Sequence, residues 1–348
     1  MNIFIDSNII FQDYFFENKS NKQLLEYCKE GLLSIYMSEI VKLELRRQFE
    51  KEIISQNREI KKLIKDSSRL KVDFSWNEIL LSDQMIKFED FYNKLGYIDN
   101  FYFLNYKNEF LPDIVDRAIH RKKPFTEEKS ELKDALIWKT YSDYVEQHNS
   151  TDCILLTNNT SDFCQKNDKN SIHPDLAKDS TRFSVINSSF DFIKRKGPLL
   201  ESPEYKFQSY FNQIDFTEEY VLELISDNFE QKIRDHIHSE VDRIHPSEIL
   251  FESFIFDGQL IAYDIELLCC EDIESEVIAD KALISGVLFV NCETDILEYN
   301  SVRDAGEDSF TTVGEKILQF RVFFNFDFKE NEIVDDFEIN GSVLDEIS

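Results

Sequence analysis

Asn2-Ile3-Phe4-Ile5-Asp6-Ser7-Asn8 stands at the start of the chain. Its apolar run lacks polar alternation and reads as a short strand buried on both faces, the kind found in parallel sheets covered by helices. An acid follows that strand at once. Outward from this stretch, short apolar strands keep alternating with helices. Residues 22–30 suit a helix closed by Gly31, and residues 33–37 read as a second strand. Ser38 caps a long helix whose Ile40, Val41, Leu43, Leu45 and Phe49 give it one buried side. From Arg46 to Lys71 that helix is charged and reads as a surface helix or helical arm. Residues 77–95, 112–121 and 131–146 suit further helices, while 153–157 and 183–187 read as buried strands. The alternation predicts an α/β fold, a three-layer parallel-sheet domain with an inserted helical arm.

Lys194-Arg195-Lys196-Gly197-Pro198 reads as a linker, which divides the chain into residues 1–196 and 197–348. Past it, a helix is expected at 217–240, and then the period changes to two. Ile261, Tyr263, Ile265 and Leu267 alternate with Ala262, Asp264 and Glu266. Leu318, Phe320, Val322, Phe324, Phe326 and Phe328 share one face. Asp257-Gly258 is a hairpin signal. The second half is expected to be a mostly antiparallel, β-rich α+β domain.

Charge divides in the same place. Residues 1–199 hold 30 Lys and Arg against 32 Asp and Glu, and residues 200–348 hold 9 against 36. The first half is nearly neutral at -2 and the second is strongly acidic at -27. A polyanion can approach the first half and is repelled by the second. A solvated acidic surface is the simplest expectation for the acidic domain, and a docking surface for a basic protein partner is the next. The sharper one is autoinhibition, with that domain lying against the basic patches of the first half. There is no apolar run of about 18 residues to span a membrane, and no basic, apolar leader opens the chain. The six Cys include no Cys-x-x-Cys pair. Reduced thiols, a cytoplasmic location and no zinc site are expected.

Four acids of the first half occupy suggestive places. Asp6 follows a strand, and Glu44 lies on the apolar-flanked side of a helix. Asp134 begins another helix, and Asp162 follows the strand that ends in Thr157. Ligands of open α/β sheets bind beyond the carboxyl ends of the strands. Carboxylates gathered there repel one another, by roughly 4 kcal/mol for a pair about 4 Å apart at an effective dielectric near 20. Such a group needs protons or cations, and hard oxygen ligands suit Mg²⁺ or Mn²⁺.

At these residues the chain resembles a known family. Ile3-Phe4-Ile5-Asp6-Ser7-Asn8 looks like the opening strand and Asp-Ser/Thr-Asn signature of PIN domains. Ser38-Glu39-Ile40-Val41-Lys42-Leu43-Glu44-Leu45 resembles their second acidic motif, and Lys133-Asp134-Ala135-Leu136-Ile137-Trp138 the third. Leu155-Leu156-Thr157-Asn158-Asn159-Thr160-Ser161-Asp162-Phe163 is similar to the fourth. All four come in the family's order, and Arg117 to Phe125 resembles a larger bacterial PIN-like subfamily with an extra C-terminal domain. The resemblance implies a metal-dependent nuclease, with RNA favoured over DNA. It makes Asp6, Glu44 and Asp134 metal ligands and has Asp162 complete the pocket. Ser7, Asn8, Thr157 and Asn158 or Asn159 would then orient the carboxylates.

Two basic stretches bear on the substrate. Arg117, Arg121, Lys122 and Lys123, with Lys129 and Lys133 adding to them, form a patch suited to positioning phosphates. The run from Arg46 to Lys71 reads either as a solvated helix laced with i,i+4 pairs or as a phosphate contact. Three rival functions carry over: an inactive PIN-fold binding scaffold, a structure-specific DNA nuclease, and a small-molecule phosphatase. The full set of acids argues against the scaffold, the absence of an aromatic threading arch against the DNA nuclease, and the motif order against the phosphatase.

Overall fold

The computed structural model describes residues 1–71, 76, 79–126, 131–250, 257–301 and 308–348. Two compact units emerge, Met1–Ser202 and Pro203–Ser348. Among the described residues, no helix is long and apolar enough to cross a membrane.

In the first unit, strands and helices follow as β1 (Asn2–Ile5), α1 (Ser7–Ile10), α2 (Lys19–Lys29), β2 (Ser34–Ser38), α3 (Glu39–Arg69), α4 (Leu81–Leu95) and β3 (Phe101–Leu104). There follow α5 (Leu111–Ile119), α6 (Leu132–Gln147), β4 (Cys153–Leu156), α7 (Thr160–Phe163), β5 (Cys164–Gln165), β6 (Asp168–Ile172), α8 (Pro174–Ala177), β7 (Phe183–Ile186) and α9 (Ser189–Leu200). They make a seven-stranded sheet in the order β3-β2-β1-β4-β7-β6-β5. Strands β3, β2, β1, β4 and β7 run parallel, and β5 and β6 are antiparallel additions. The chain goes from β1 to β2 on one side, and β4 returns to pair with β1 on the other. The crevice beyond the carboxyl ends of β1 and β4 is therefore the topological switch point. Ile3, Phe4 and Ile5 are wholly buried, as are Leu155 and Leu156.

The long helix forms as expected, but its buried side is narrower than read: Leu43 is half exposed and Ile40 only partly buried. Ser38 caps it by accepting from Ile40 N, and Val41, Leu45, Phe49 and Ile53 form one buried stripe at four-residue spacing. At 1.5 Å per residue its 31 residues reach about 46 Å. Tyr141 on α6 ties three elements together: its hydroxyl donates to Ile5 O at 2.6 Å and accepts from Ser38 N at 2.9 Å.

The stretch 194–198, read as a linker, is helical instead. It lies inside α9, and α9 packs on α2. Gly197 is buried there, and a Cβ on it would stand 3.4 Å from the Tyr27 hydroxyl. Pro198 also lies inside the helix, where it has no N–H to give to the carbonyl four residues back.

The second unit holds α10 (Pro203–Phe211), α11 (Glu218–Val241), and four long strands: β8 (Gly258–Ile278), β9 (Lys281–Tyr299), β10 (Phe310–Lys329) and β11 (Ile333–Ile347). The strands form one antiparallel sheet, order β11-β10-β9-β8. Leu318, Phe320, Val322, Phe324, Phe326 and Phe328 are buried together, as their alternation predicts. The reading of β8 needs correction. Ile261 and Tyr263 are exposed although Ile265 is buried. A bulge between Ala262 and Asp264 shifts the phase by one residue, which turns the first two outward. Asp257-Gly258 opens β8 rather than turning a described hairpin, and Asp257 O accepts from Tyr299 N at 2.8 Å. Residues 251–256 lie outside the described residues.

Candidate metal centre at the carboxyl edge of the parallel sheet

Asp6 is the first residue past β1 and sits at the switch point, almost fully buried. Its backbone N–H still bonds Leu156 O at 3.0 Å, so the sheet itself fixes its place. Its side chain caps α1, with Oδ1 accepting from Ser7 N at 2.7 Å. Oδ2 accepts from Thr157 Oγ1 at 2.6 Å and Asn8 Nδ2 at 2.7 Å. Thr157 directly follows β4 and is wholly buried. Ser7 turns the other way, and its Oγ donates to Glu44 Oε2 at 2.9 Å. Asp6, Ser7 and Glu44 thus form one chain of contacts between β1 and α3.

A second set lies beside it. Carboxylate oxygens of Glu131, Asp134 and Asp162 come within 4.8 Å of one another. Asp134 stands in the first turn of α6, and Asp162 is buried in the single turn of α7. Glu131 did not figure among the sequence candidates. It precedes α6 and lies three residues before Asp134, a spacing that puts two acids on one side of a helix start. That Glu-x-x-Asp spacing was the signal available.

The supporting residues divide in the same geometric terms. Asn8 and Thr157 hold Asp6, and Ser7 holds Glu44. Asn159 acts through its backbone, whose N–H donates to Thr157 Oγ1 at 3.0 Å. Asn158 also contributes a backbone N–H, to Asn8 Oδ1 at 3.1 Å, and its side chain is exposed.

Two lysines border the acids. Lys133 Nζ bonds Glu44 Oε1. Lys123 Nζ donates to Ser161 O at 2.7 Å and lies 3.9 Å from Asp162 Oδ1. The rest of the expected phosphate patch is placed differently. Arg117 is buried, with Nε on Asp113 at 2.9 Å and Nη2 on both Asp179 oxygens at 2.7 and 2.6 Å. Its guanidinium is engaged inside the fold, so the reading of Arg117 as a phosphate contact is corrected. Lys122 pairs with Asp116 at 2.7 Å, and Arg121 is exposed, with Nη1 3.4 Å from Thr126 O. Lys129 lies outside the described residues.

Residues 3–163 match the family profile of the PIN domain. This part of the chain is a PIN domain. The matched span reaches from β1 to the end of α7 and so includes all five acids. Searches of curated proteins and of solved structures gave no match. PIN domains are in general nucleases that use divalent metal, and the acidic donors of this PIN domain suit such an ion. They are hard oxygens, they converge at the switch point, and neither Cys nor His stands in the described cluster.

The electrostatics of the PIN domain agree with a cation site. Burial pushes the Asp6 carboxyl up to about 6, against the lowering effect of its hydrogen bonds from Thr157 and Ser7, and the charge of Glu44 adds to the rise. Asp134 is raised well above the ordinary carboxylate range, first by burial, then by the charge of Asp6 and the contact with Glu131. At pH 6 these groups keep protons that an entering cation must displace. The apparent affinity for Mn²⁺ is therefore expected to climb from pH 5 to pH 8. Calorimetry at pH 6 in buffers of different ionisation enthalpy should record proton release on binding. Binding without proton release, and equally tight at both pH values, would contradict this account.

Proposed function

We propose that the PIN unit is a divalent-metal-dependent nuclease that hydrolyses phosphodiester bonds, with RNA favoured over DNA. The observation that carries the reading is the gathering of Asp6, Glu44, Glu131, Asp134 and Asp162 at one strand edge, with the Asp6 and Asp134 carboxyls raised by burial and by neighbouring charge. Asp6, Glu44 and Asp134 would hold Mg²⁺ or Mn²⁺, with Glu131 and Asp162 completing the pocket. The ion would supply a polarised water and neutralise charge on the phosphate. The protein's own contribution is positional. Thr157, Asn8 and Ser7 aim the carboxylates before any ligand arrives, so little reorganisation remains at the moment of reaction. Lys123 and Lys133 place positive charge at the rim, where the negative charge of a scissile phosphate would be met. The choice of RNA follows the family resemblance alone. For the acidic second unit we propose a basic protein partner, on charge complementarity.

The test is incubation of the full chain with single- and double-stranded RNA and DNA in Mn²⁺, Mg²⁺ or EDTA. Cleavage of RNA in either metal and none in EDTA is expected. Cleavage of DNA alone would select the structure-specific DNA nuclease. Binding with no cleavage in any metal would select the inactive scaffold.

A further inference from the structure

Two clefts of the PIN unit border the carboxylates. One is lined by Glu44, Lys133, Arg47 and Lys51, so it runs from the acidic centre along α3. The other is lined by Lys123, Ser161, Lys166, Lys169 and His173 and lies against the Asp162 turn. Each cleft has one lysine that already touches the centre: Lys133 on Glu44, and Lys123 beside Asp162. Beyond them, Arg47 and Lys51 on one side and Lys166 and Lys169 on the other make no ion pair among the described residues. Adjacent cations are used otherwise. Arg46 pairs with Glu89 at 2.6 Å, Lys122 with Asp116, and Arg117 with Asp113 and Asp179. Within the clefts these four cations are left available beyond the two lysines, while Arg46, Lys122 and Arg117 nearby are neutralised.

Burial decides what could use them. Asp6 and Asp162 are only 2% and 3% exposed, so a phosphate reaches them only by entering the pocket. A duplex, stiff over about 150 base pairs, does not bend into such a recess without cost, whereas a single strand does. We infer that one nucleic-acid strand crosses the carboxylate centre from cleft to cleft. Arg47 and Lys51 hold its phosphates on the Glu44 side, and Lys166 and Lys169 hold them on the Asp162 side. The inference rests on the nuclease reading for the identity of the ligand.

The test measures binding of the full chain to a fluorescein-labelled single strand of about 12 nucleotides, in EDTA and across a salt series, as RNA and as DNA. On a single strand, each phosphate that the protein ceases to neutralise lowers the salt slope by about 0.7, so Arg47→Ala/Lys51→Ala and Lys166→Ala/Lys169→Ala should each lower it by roughly 1.4. Lys62→Ala/Lys65→Ala, at exposed positions on α3 outside both clefts, should leave it near the wild-type value. If either cleft pair kept the wild-type slope, or the control pair fell as far, the path would be overturned. Circular dichroism on each variant separates misfolding from a missing phosphate grip. A substrate of about three nucleotides is too short for either cleft, given sites of roughly 4–16 nucleotides per binding fold, and its cleavage in Mn²⁺ reports on the centre alone. Cleavage there with unchanged slopes would sink the path and leave the nuclease reading standing. Reduced slopes with no cleavage in any metal would do the reverse.

Discussion

Asp134→Asn is expected to lower cleavage at least about 100-fold, or roughly 2.7 kcal/mol of barrier, while making the metal-free protein more heat-stable at pH 8. Both effects have one source. Asp134 stands in the first turn of α6 among Glu131 and Asp162, and it feels the charge of Asp6. The amide keeps the shape and removes the charge. Without metal, that charge is a liability. The folded-state pKa is raised above the unfolded one, so the folded state holds a proton that the unfolded chain gives up. Stability from this group is complete below the ordinary aspartate value and is lost as pH rises through the folded pKa. The gain from Asn should therefore be small near pH 4 and largest at pH 8, at about 2–4 °C in Tm per kcal/mol for a unit of this size. Saturating Mn²⁺ should reverse the ranking, because the wild type binds the ion more tightly and is stabilised in proportion. Asp6→Asn should lose as much activity but gain less stability, since Asn cannot accept from Ser7, Thr157 and Asn8 all together. An Asp134→Asn protein that cut at the wild-type rate in Mn²⁺ would remove Asp134 from the site.

What could be read from the residues was whatever depends on local pattern. The apolar run before Asp6 announced a central parallel strand, and that strand lies between β2 and β4. The alternation of Phe in β10 announced an antiparallel strand with one buried face. The failures share a different character. β5 and β6 are too short, at two and five residues, to give a period. The bulge in β8 breaks the count of two at Ala262, and no residue type there marks it. Lys194 to Pro198 contains the residues of a linker, but tertiary packing of α9 on α2 overrides them. Glu131 is not legible from local pattern because its role depends on the approach of α7 to the start of α6, with Asp134 and Asp162 lying 28 residues apart in sequence. The buried position of Arg117 is hidden for the same reason. Its partner Asp179 is 62 residues away, and a patch of Arg and Lys in sequence says nothing about which of them faces inward.

Arg117→Ala is expected to cost about 3–5 kcal/mol of stability, the range for breaking one side of a buried ion pair. The size of the effect follows from the number of elements that this guanidinium joins. On α5 it holds Asp113, across the fold it grips both oxygens of Asp179, and Nη1 reaches Lys123 O at 3.3 Å. Asp179 also accepts from Trp138 Nε1 at 2.8 Å and Lys139 Nζ at 3.1 Å, both on α6. Removing Arg117 leaves the Asp179 carboxylate, whose side chain is 10% exposed, with less charge to balance it. Lys139 remains as a partner and should hold the loss toward the lower end. Arg117→Lys should fall between, because an ammonium cannot span Asp113, Asp179 and a carbonyl together. Urea unfolding followed by tryptophan fluorescence reads the effect, since Trp138 sits in the network. A phosphate contact at the surface would behave otherwise, with an unchanged urea midpoint and a weaker grip on nucleic acid. A midpoint at the wild-type value would therefore restore the phosphate reading. Weaker substrate binding by itself would not, because Arg117 also steadies the segment that brings Lys123 to Asp162, so loss of the buried arginine is felt at the rim of the centre as well as in the core.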